Sequence, residues 1–171
     1  MTKLKTNQNP VNVVTELNVL LADYHVFYQK LRNFHWNVMG ENFFDLHEKF
    51  ESMYNDTRVK IDEVAERIIT LKYHPVSKLG DYLEISNIQE SSPLLTDKEM
   101  VEKIVEDQEI LIKQLYKINE EANKNNDEGT IDLIGAYIRQ TEKSSWMLNA
   151  WLKKPDTKMN SVLLRKSETV S

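Results

Sequence analysis

The sequence of 171 residues contains no cysteine and only four glycines and four prolines. The absence of cysteine excludes disulfides, thiolate metal ligands and cysteine nucleophiles. No apolar stretch follows the polar start of the chain, so we expect no signal peptide, no membrane span and a cytoplasmic location. A formal net charge of -5 argues against a strongly basic surface for nucleic acids. Hydrophobic residues at 40% and charged residues at 29% are typical of a single globular domain.

Four long segments carry apolar residues at three- and four-residue steps, which predicts four helices. All the glycines and prolines except Gly135 fall where this periodicity breaks. A capping box at Thr96–Glu99 marks the start of the third helix. The predicted helices cover about 11–38, 42–71, 96–122 and 130–153. We expect the bundle to occupy residues 10–155, between mobile tails at 1–9 and 156–171.

The connections between the predicted helices are uneven. Gly40 lies in a very short turn, so the first two helices form an antiparallel hairpin. About 24 residues separate the second and third helices, enough to cross the length of the bundle, and residues 81–85 can form a short helix on the way. One long crossover predicts an all-α, ferritin-like four-helix bundle rather than the simple up-and-down arrangement.

Histidines and carboxylates cluster within 32 residues of the first two helices, at His35, His47, Glu51, Asp62 and Glu66. Each of the pairs His47/Glu51 and Asp62/Glu66 is four residues apart, so each pair projects from one helix face. Imidazoles and carboxylates without thiolates suit iron, manganese or zinc, and several carboxylates with open positions favour Fe(II) chemistry.

The spacing along the second helix argues against a site within one chain. His35 and His47 flank Gly40 closely enough for the hairpin to bring them together. Asp62 lies fifteen residues beyond His47, about 22 Å along a helix. If the second helix pairs antiparallel with its copy near residues 56–57, Asp62 and Glu66 of one subunit meet the histidines of the other. Such a two-fold contact creates two equivalent metal sites per dimer.

The motifs around these residues resemble those of the Dps family of mini-ferritins. The run FHWNVMGENFFDLHEKFE at 34–51 is similar to the family signature, HWN-x-x-G-x-x-F-x-x-x-H followed by an acidic residue, and DEVAER at 62–67 matches a second family segment. Residues 127–133 and 142–148 resemble the family's fourth-helix pattern. The similarity spans about residues 14–152.

This resemblance implies a hollow homododecamer that oxidises Fe(II) at intersubunit ferroxidase sites, preferably with hydrogen peroxide rather than dioxygen, and stores Fe(III) as a mineral. It implies that His35, His47, Asp62 and Glu66 are iron ligands. The chain departs from the family at Glu51, where Asp is more common, so Glu51 either binds iron directly or acts through water. The resemblance also places Asp127 and Asp132 at a three-fold pore, although acidic residues at a helix N-terminus are favoured in any protein.

Two other readings predict different behaviour. Dps proteins often protect DNA, and those that bind it do so through lysine-rich tails; here the tails offer only a few cations on an acidic body, namely Lys3, Lys5, Lys158, Arg165 and Lys166. A DNA-compacting protein with a vestigial metal site is therefore the alternative function. A monomeric bundle with a structural polar cluster predicts a mass near 20.1 kDa in solution.

Overall fold

The computed structural model describes residues 10–152 and contains no strand within that range. Five helices follow one another along the chain: α1 Pro10–Asn37, α2 Phe43–Thr70, α3 Leu79–Ile85, α4 Asp97–Lys124 and α5 Glu128–Leu152. The predicted all-α class, the four long helices and the short helix in the crossover are confirmed. The two predicted tails, residues 1–9 and 156–171, lie outside the described residues. Over the described range, no helix combines the length and apolarity needed to cross a membrane.

Local signals explain where the helices start. The capping box at α4 is formed, because the amide of Glu99 donates to Thr96 Oγ1 (3.3 Å) and the amide of Thr96 donates to Glu99 Oε2 (2.7 Å). Helix α5 begins two residues earlier than predicted. Its cap is Asp127, whose Oδ1 accepts from the amide of Thr130 at 3.1 Å.

The turn between α1 and α2 requires a glycine. Gly40 has a φ of +108°, a conformation that a side chain makes costly. The turn is short enough for α2 to return directly along α1, and these two helices pack against each other along the molecule.

Polar contacts at the helix ends show in which direction the long helices run relative to one another. At one end of the bundle, Asn42 at the start of α2 donates to Asp97 at the start of α4 (2.7 Å). At the other end, Arg67 near the end of α2 pairs with Asp127 before α5. Helices α2 and α4 therefore run parallel, which requires the connection 71–96 to travel the length of the bundle. This is the predicted ferritin-like crossover.

The crossover lies along α1, which holds it with polar side chains. Buried Asp23 accepts hydrogen bonds from Ser86 Oγ (2.9 Å) and from the amide of Asn87 (2.6 Å). Burial raises the pKa of Asp23 in spite of these donors. Two more contacts lie on either side of Asp23 along the same helix. The amide of Val76 donates to Asn18 Oδ1 at 2.8 Å, and Asn33 Nδ2 donates to the carbonyl of Ser91 at 3.0 Å.

The core lies between the four long helices and is mainly aliphatic and aromatic. It also holds one buried ion pair, Lys30 with Asp107, at 2.6 Å between α1 and α4. Burial raises the pKa of Asp107 to about 6, against the opposing effect of Lys30. The largest side chains that are almost fully buried are Tyr24, Phe34, Phe50, Leu17, Leu20, Leu21, Leu31, Ile68, Met100, Ile104, Leu111 and Leu115.

Candidate metal centre

The α1–α2 hairpin brings His35 and His47 face to face. His35 lies in the last turn of α1 and His47 near the start of α2, on either side of the turn at Gly40. Their rings stack with centroids 3.7 Å apart and planes at 25°. The predicted meeting of these two histidines across the hairpin is therefore present within one chain.

Reciprocal hydrogen bonds fix the orientation of both imidazoles. Nδ1 of His35 is 2.8 Å from the carbonyl oxygen of His47, and Nδ1 of His47 is 2.8 Å from the carbonyl oxygen of His35. A carbonyl can only accept, so each Nδ1 must carry the proton and donate it. In the neutral ring, Nε2 is then left with its lone pair. A hydrogen bond from Nδ1 to a backbone carbonyl is common for histidines that bind a metal through Nε2.

Aromatic neighbours hold the two rings from outside. Phe43 stacks on His47 with centroids 5.0 Å apart, and Tyr54 meets the His35 ring edge-on at 5.4 Å. His35 is only 8% exposed. The packing restricts rotation of both imidazoles, so a cation would meet nitrogen donors that are already oriented.

Glu51 is connected to this pair through Tyr54. The phenol of Tyr54 donates to Glu51 Oε1 at 3.3 Å. Desolvation, reinforced by the Glu51 carboxylate, raises the pKa of Tyr54, which keeps the phenol protonated as a donor. Tyr54 was not among the candidate residues predicted from the sequence, and its ring also packs against the apolar core. Its position three residues after Glu51 and seven after His47 is the signal that could have indicated its role.

Asp62 and Glu66 lie far from the histidines. Both are exposed, and neither has a hydrogen bond or ion pair among residues 10–152. Helix α2 is uninterrupted, so the fifteen residues between His47 and Asp62 span about 22 Å along it. At 100° per residue, the same fifteen residues leave the side chains of His47 and Asp62 only about 60° apart around the helix axis.

The described part of the chain contains no group of three or more His, Cys, Asp or Glu residues that could hold a metal ion. One subunit thus brings His35 and His47 together and positions Glu51 through Tyr54, while Asp62 and Glu66 remain apart. A site that contains all five residues requires a second copy of the chain.

The two acidic residues predicted at a pore have different surroundings. Asp127 caps α5, pairs with Arg67 and accepts a hydrogen bond from Thr130 Oγ1 (2.6 Å), and its side chain is only 13% exposed. Asp132 is exposed and lies more than one turn further along α5. Asp127 therefore has a structural role as a helix cap, and the pore role of both residues stays a prediction.

Arg67 was recognised in the sequence only as part of a motif, but it joins α2 to α5. Its Nε donates to Thr130 Oγ1 at 2.9 Å, and its guanidinium also reaches Asp127. Gly129 makes this approach possible, since a Cβ there would be 2.8 Å from Arg67 Nη1. The contact fixes the end of α2 that carries Asp62 and Glu66.

Comparisons with known proteins agree with this architecture. A ferritin-like domain family model matches residues 14–157. The chain is 45% identical over 140 residues to DNA protection during starvation protein 2 of Bacillus anthracis, covering 82% of this chain and 96% of that protein. The crystal structure of the Dps protein from Vibrio cholerae, described as a member of the ferritin-like diiron-carboxylate superfamily, superposes with a TM-score of 0.83 at 44% identity, covering 86% of this chain and 92% of that one.

The Dps structure from Staphylococcus aureus gives the same TM-score, 0.83, at 38% identity, covering 85% of this chain and 98% of that chain. These relatives are matched over nearly their whole length, and the region that matches the family model, residues 14–157, includes both His35 and His47. The chain belongs to the Dps proteins of the ferritin-like family.

Proposed function

We propose that the protein is a ferroxidase that oxidises Fe(II) between two subunits and stores the Fe(III) product inside a protein cage. Membership of the ferritin-like family supports a general role in iron binding. The observation that supports a ferroxidase site is the pair of stacked histidines. The Nδ1 atom of each ring is held by a backbone carbonyl oxygen 2.8 Å away.

The donor set suits Fe(II) as the substrate. His35 and His47 supply neutral nitrogen donors, and Glu51 adds a carboxylate from the same subunit. Asp62 and Glu66 supply the carboxylates of the second subunit. Mixed imidazole and carboxylate ligands with positions left open for an oxidant are typical of Fe(II) sites.

A two-fold contact completes the site in this proposal. The copy of α2 runs antiparallel, so its Asp62 and Glu66 lie opposite His47 and Glu51. Two-fold symmetry makes the contact reciprocal, and each pair of subunits then contains two equivalent sites. The exposure of Asp62 and Glu66, and the absence of partners for them within residues 10–152, support their assignment to a neighbouring subunit.

The reaction that we propose balances without free radicals. Two Fe(II) ions each give one electron to one molecule of hydrogen peroxide, the O–O bond breaks, and two protons complete two molecules of water. The imidazoles and carboxylates hold the iron in place during this transfer, and the carboxylates offset the charge of the Fe(III) that forms. Fe(III) then hydrolyses, and the mineral grows on the acidic inner surface of a homododecamer.

The test is anaerobic loading with Fe(II), followed by a stoichiometric pulse of hydrogen peroxide while Fe(III) absorbance is recorded. We expect rapid oxidation by the wild type and its loss in the His35→Ala/His47→Ala variant. His74→Ala is the matched control, since His74 is an exposed histidine in the connection 71–96. Equal, slow oxidation by all three proteins would refute the site.

DNA binding is the second candidate, favoured by the name of the Bacillus anthracis relative, which specifies DNA protection. The tail cations that would contact phosphates, from Lys3 to Lys166, lie outside the described residues. Consumption of peroxide by iron would itself protect DNA without any contact. A gel shift at physiological salt distinguishes the two: tight retention of DNA without iron oxidation would favour the DNA-compacting function.

A further inference from the structure

A small cavity lies between the four long helices, separate from the histidine pair, and both polar and apolar residues line it. Its volume is about 110 Å³, enough for a few water-sized molecules. All four long helices contribute to its wall, although the surrounding core is mainly apolar. The lining residues that the argument uses are Tyr24 from α1, Met53, Asp56 and Lys60 from α2, Gln108 from α4 and Ser144 from α5.

Two buried polar atoms on this wall have no partner within residues 10–152. They are the phenol oxygen of Tyr24 and Oε1 of Gln108, and each residue is only 2% exposed. Nε2 of Gln108 already donates to Ser144 Oγ at 2.8 Å. If the amide were turned around, its other end would be left unpartnered instead. Buried polar groups without a protein partner usually bind a small molecule, most often water.

The charges at the cavity compensate each other. Lys60 Nζ and Asp56 Oδ2 form an ion pair at 2.6 Å, and the Lys60 side chain is only 9% exposed. Burial, with smaller contributions from nearby carboxylates, raises the pKa of Tyr24, so its phenol stays protonated. An ion would therefore meet no net opposite charge, whereas a neutral molecule could both accept from Tyr24 and donate to Gln108.

We infer that this cavity binds small neutral molecules that both donate and accept hydrogen bonds: water at rest, and hydrogen peroxide when peroxide is present. Met53, which carries a thioether, also lines this cavity. The sulfur lone pair attacks one peroxide oxygen, the O–O bond breaks, and the departing oxygen leaves as water after a proton shift. Sulfur is oxidised to the sulfoxide and peroxide is reduced. Met53 is thus a peroxide-reactive site that needs no iron.

The geometry of α2 separates this site from the candidate metal centre. Met53 and Asp62 are nine residues apart, which places them on opposite sides of the helix, about 180° around its axis. Iron chemistry beside Asp62 would therefore occur on the other side of α2. The inference does not depend on the proposed ferroxidase function.

The experiment treats the assembled, iron-free protein with hydrogen peroxide in the presence of a chelator and follows each methionine by peptide mass spectrometry. Met39, which is 79% exposed, reports oxidation in solvent, and Met100, which is fully buried and does not line the cavity, reports local unfolding. We expect Met53 to oxidise at a rate closer to that of Met39. Oxidation of Met53 as slow as that of Met100 would overturn the inference.

A Gln108→Leu variant tests whether ligand binding, rather than slight exposure, explains the reactivity. Losing one hydrogen bond to the ligand should slow Met53 oxidation by about three- to tenfold and leave Met39 unchanged. An unchanged Met53 rate would contradict the inference. If Gln108→Leu does not fold, Tyr24→Phe removes the other polar atom in the same way.

A high-resolution crystal structure of the wild type distinguishes the two ligands. Ordered water within hydrogen-bond distance of Tyr24 and Gln108 is expected, and an empty cavity would refute the binding site. Water in the cavity together with an unreactive Met53 would refute the binding of peroxide. Since no iron is present in the oxidation experiment, neither result affects the assignment of His35 and His47.

Discussion

Helix α2 carries proposed iron ligands near both of its ends, and the two ends differ in how much is organised within one chain. At the N-terminal end, His47 is held by a backbone carbonyl, by the ring of His35 and by Phe43. At the C-terminal end, Asp62 and Glu66 are exposed and have no partner among residues 10–152.

The difference follows from the chemistry of the two ligand types. An imidazole binds a metal through one nitrogen in the plane of its ring, so its tautomer and rotation must be set beforehand. A carboxylate has two oxygens and several lone pairs, and it can bind from a range of directions. In the proposed site, the hairpin therefore fixes the histidines, whose orientation must be set, and the straight helix only has to present the carboxylates to another subunit.

The largest effect is expected for variants that lose the proposed ligands at only one end of α2. His35→Ala/His47→Ala and Asp62→Asn/Glu66→Gln should each slow peroxide-dependent iron oxidation by about 100-fold, since each removes two of the five proposed ligands. Coexpression with two different tags and tandem purification would give mixed oligomers. Each mixed pair then contains one intact site and one that has lost His35, His47, Asp62 and Glu66. Random assembly makes about half of all pairs mixed, so about a quarter of the wild-type rate should return.

If each site lay within one chain, both variants would remain inactive in a mixed oligomer. Recovery of activity would therefore show that two subunits share a site. If the mixed protein is as inactive as its parents, the two ends of α2 do not meet across a subunit contact. If Asp62→Asn/Glu66→Gln alone keeps the wild-type rate, these carboxylates are not ligands, and the comparison between the two ends loses its functional meaning.

Glu51 gives the next largest effect, because it lies between the organised end and the open end. Glu51→Gln keeps an acceptor for Tyr54 and removes only the negative charge. We expect about tenfold weaker Fe(II) binding, measured by titration under anaerobic conditions. Asp45→Asn, an exposed carboxylate in the first turn of the same helix, serves as the control. Equal binding by the Glu51 variant and the control would mean that Glu51 is not a ligand.

The C-terminal end of α2, which carries Asp62 and Glu66, can also be disturbed by weakening the contacts of Arg67. Gly129→Ala would place a Cβ 2.8 Å from Arg67 Nη1, and the guanidinium could move only by weakening its bonds to Thr130 and Asp127. We expect a loss of about 1 kcal/mol in the free energy of unfolding. Gly135→Ala, where only an ordinary contact at 3.9 Å arises, should instead gain about 0.5–1 kcal/mol from helix propensity. Thermal unfolding of both variants checks the contrast, and equal shifts would show that Arg67 is not anchored there.

The smallest effect is expected at Tyr54. Tyr54→Phe keeps the ring edge against His35 and removes the long hydrogen bond to Glu51 (3.3 Å). We expect iron oxidation to slow by only about two- to threefold, with the free energy of unfolding unchanged. Initial rates after the peroxide pulse provide the measurement. A loss as large as that of Glu51→Gln would show that the phenol itself takes part in iron binding.

Much of the fold could be predicted because its signals are local. Thr96 and Glu99 form the predicted capping box, and the helical periodicity located the four long helices to within about two residues. The start of α5 was missed because the cap at Asp127 and the apolar pattern around Ile131 suggest different first residues. The meeting of His35 and His47 was also predictable, since a short turn at Gly40 leaves the hairpin few alternatives.

Other features depend on residues that are distant in sequence. Spacing places Tyr54 near Glu51 and His47, but only the structure shows that its phenol reaches Glu51 while its ring meets His35. Arg67 gave no sign of its partners, since Thr130 and Asp127 follow it by 63 and 60 residues. The cavity beside Met53 arises from four helices at once, and no segment of the sequence contains enough of its wall to indicate it.

The sequence by itself determined the four long helices to within about two residues, the long crossover and the presence of candidate ligands at both ends of α2. These follow from periodicity, capping and turn residues, which act over a few positions of the chain. Only the tertiary structure decided that Nδ1 of each histidine faces the other residue's carbonyl, that Asp127 is a cap paired with Arg67, and that a cavity remains between the four long helices. Side-chain orientation and empty space depend on how whole helices pack, and packing is set by contacts between residues that the sequence keeps far apart.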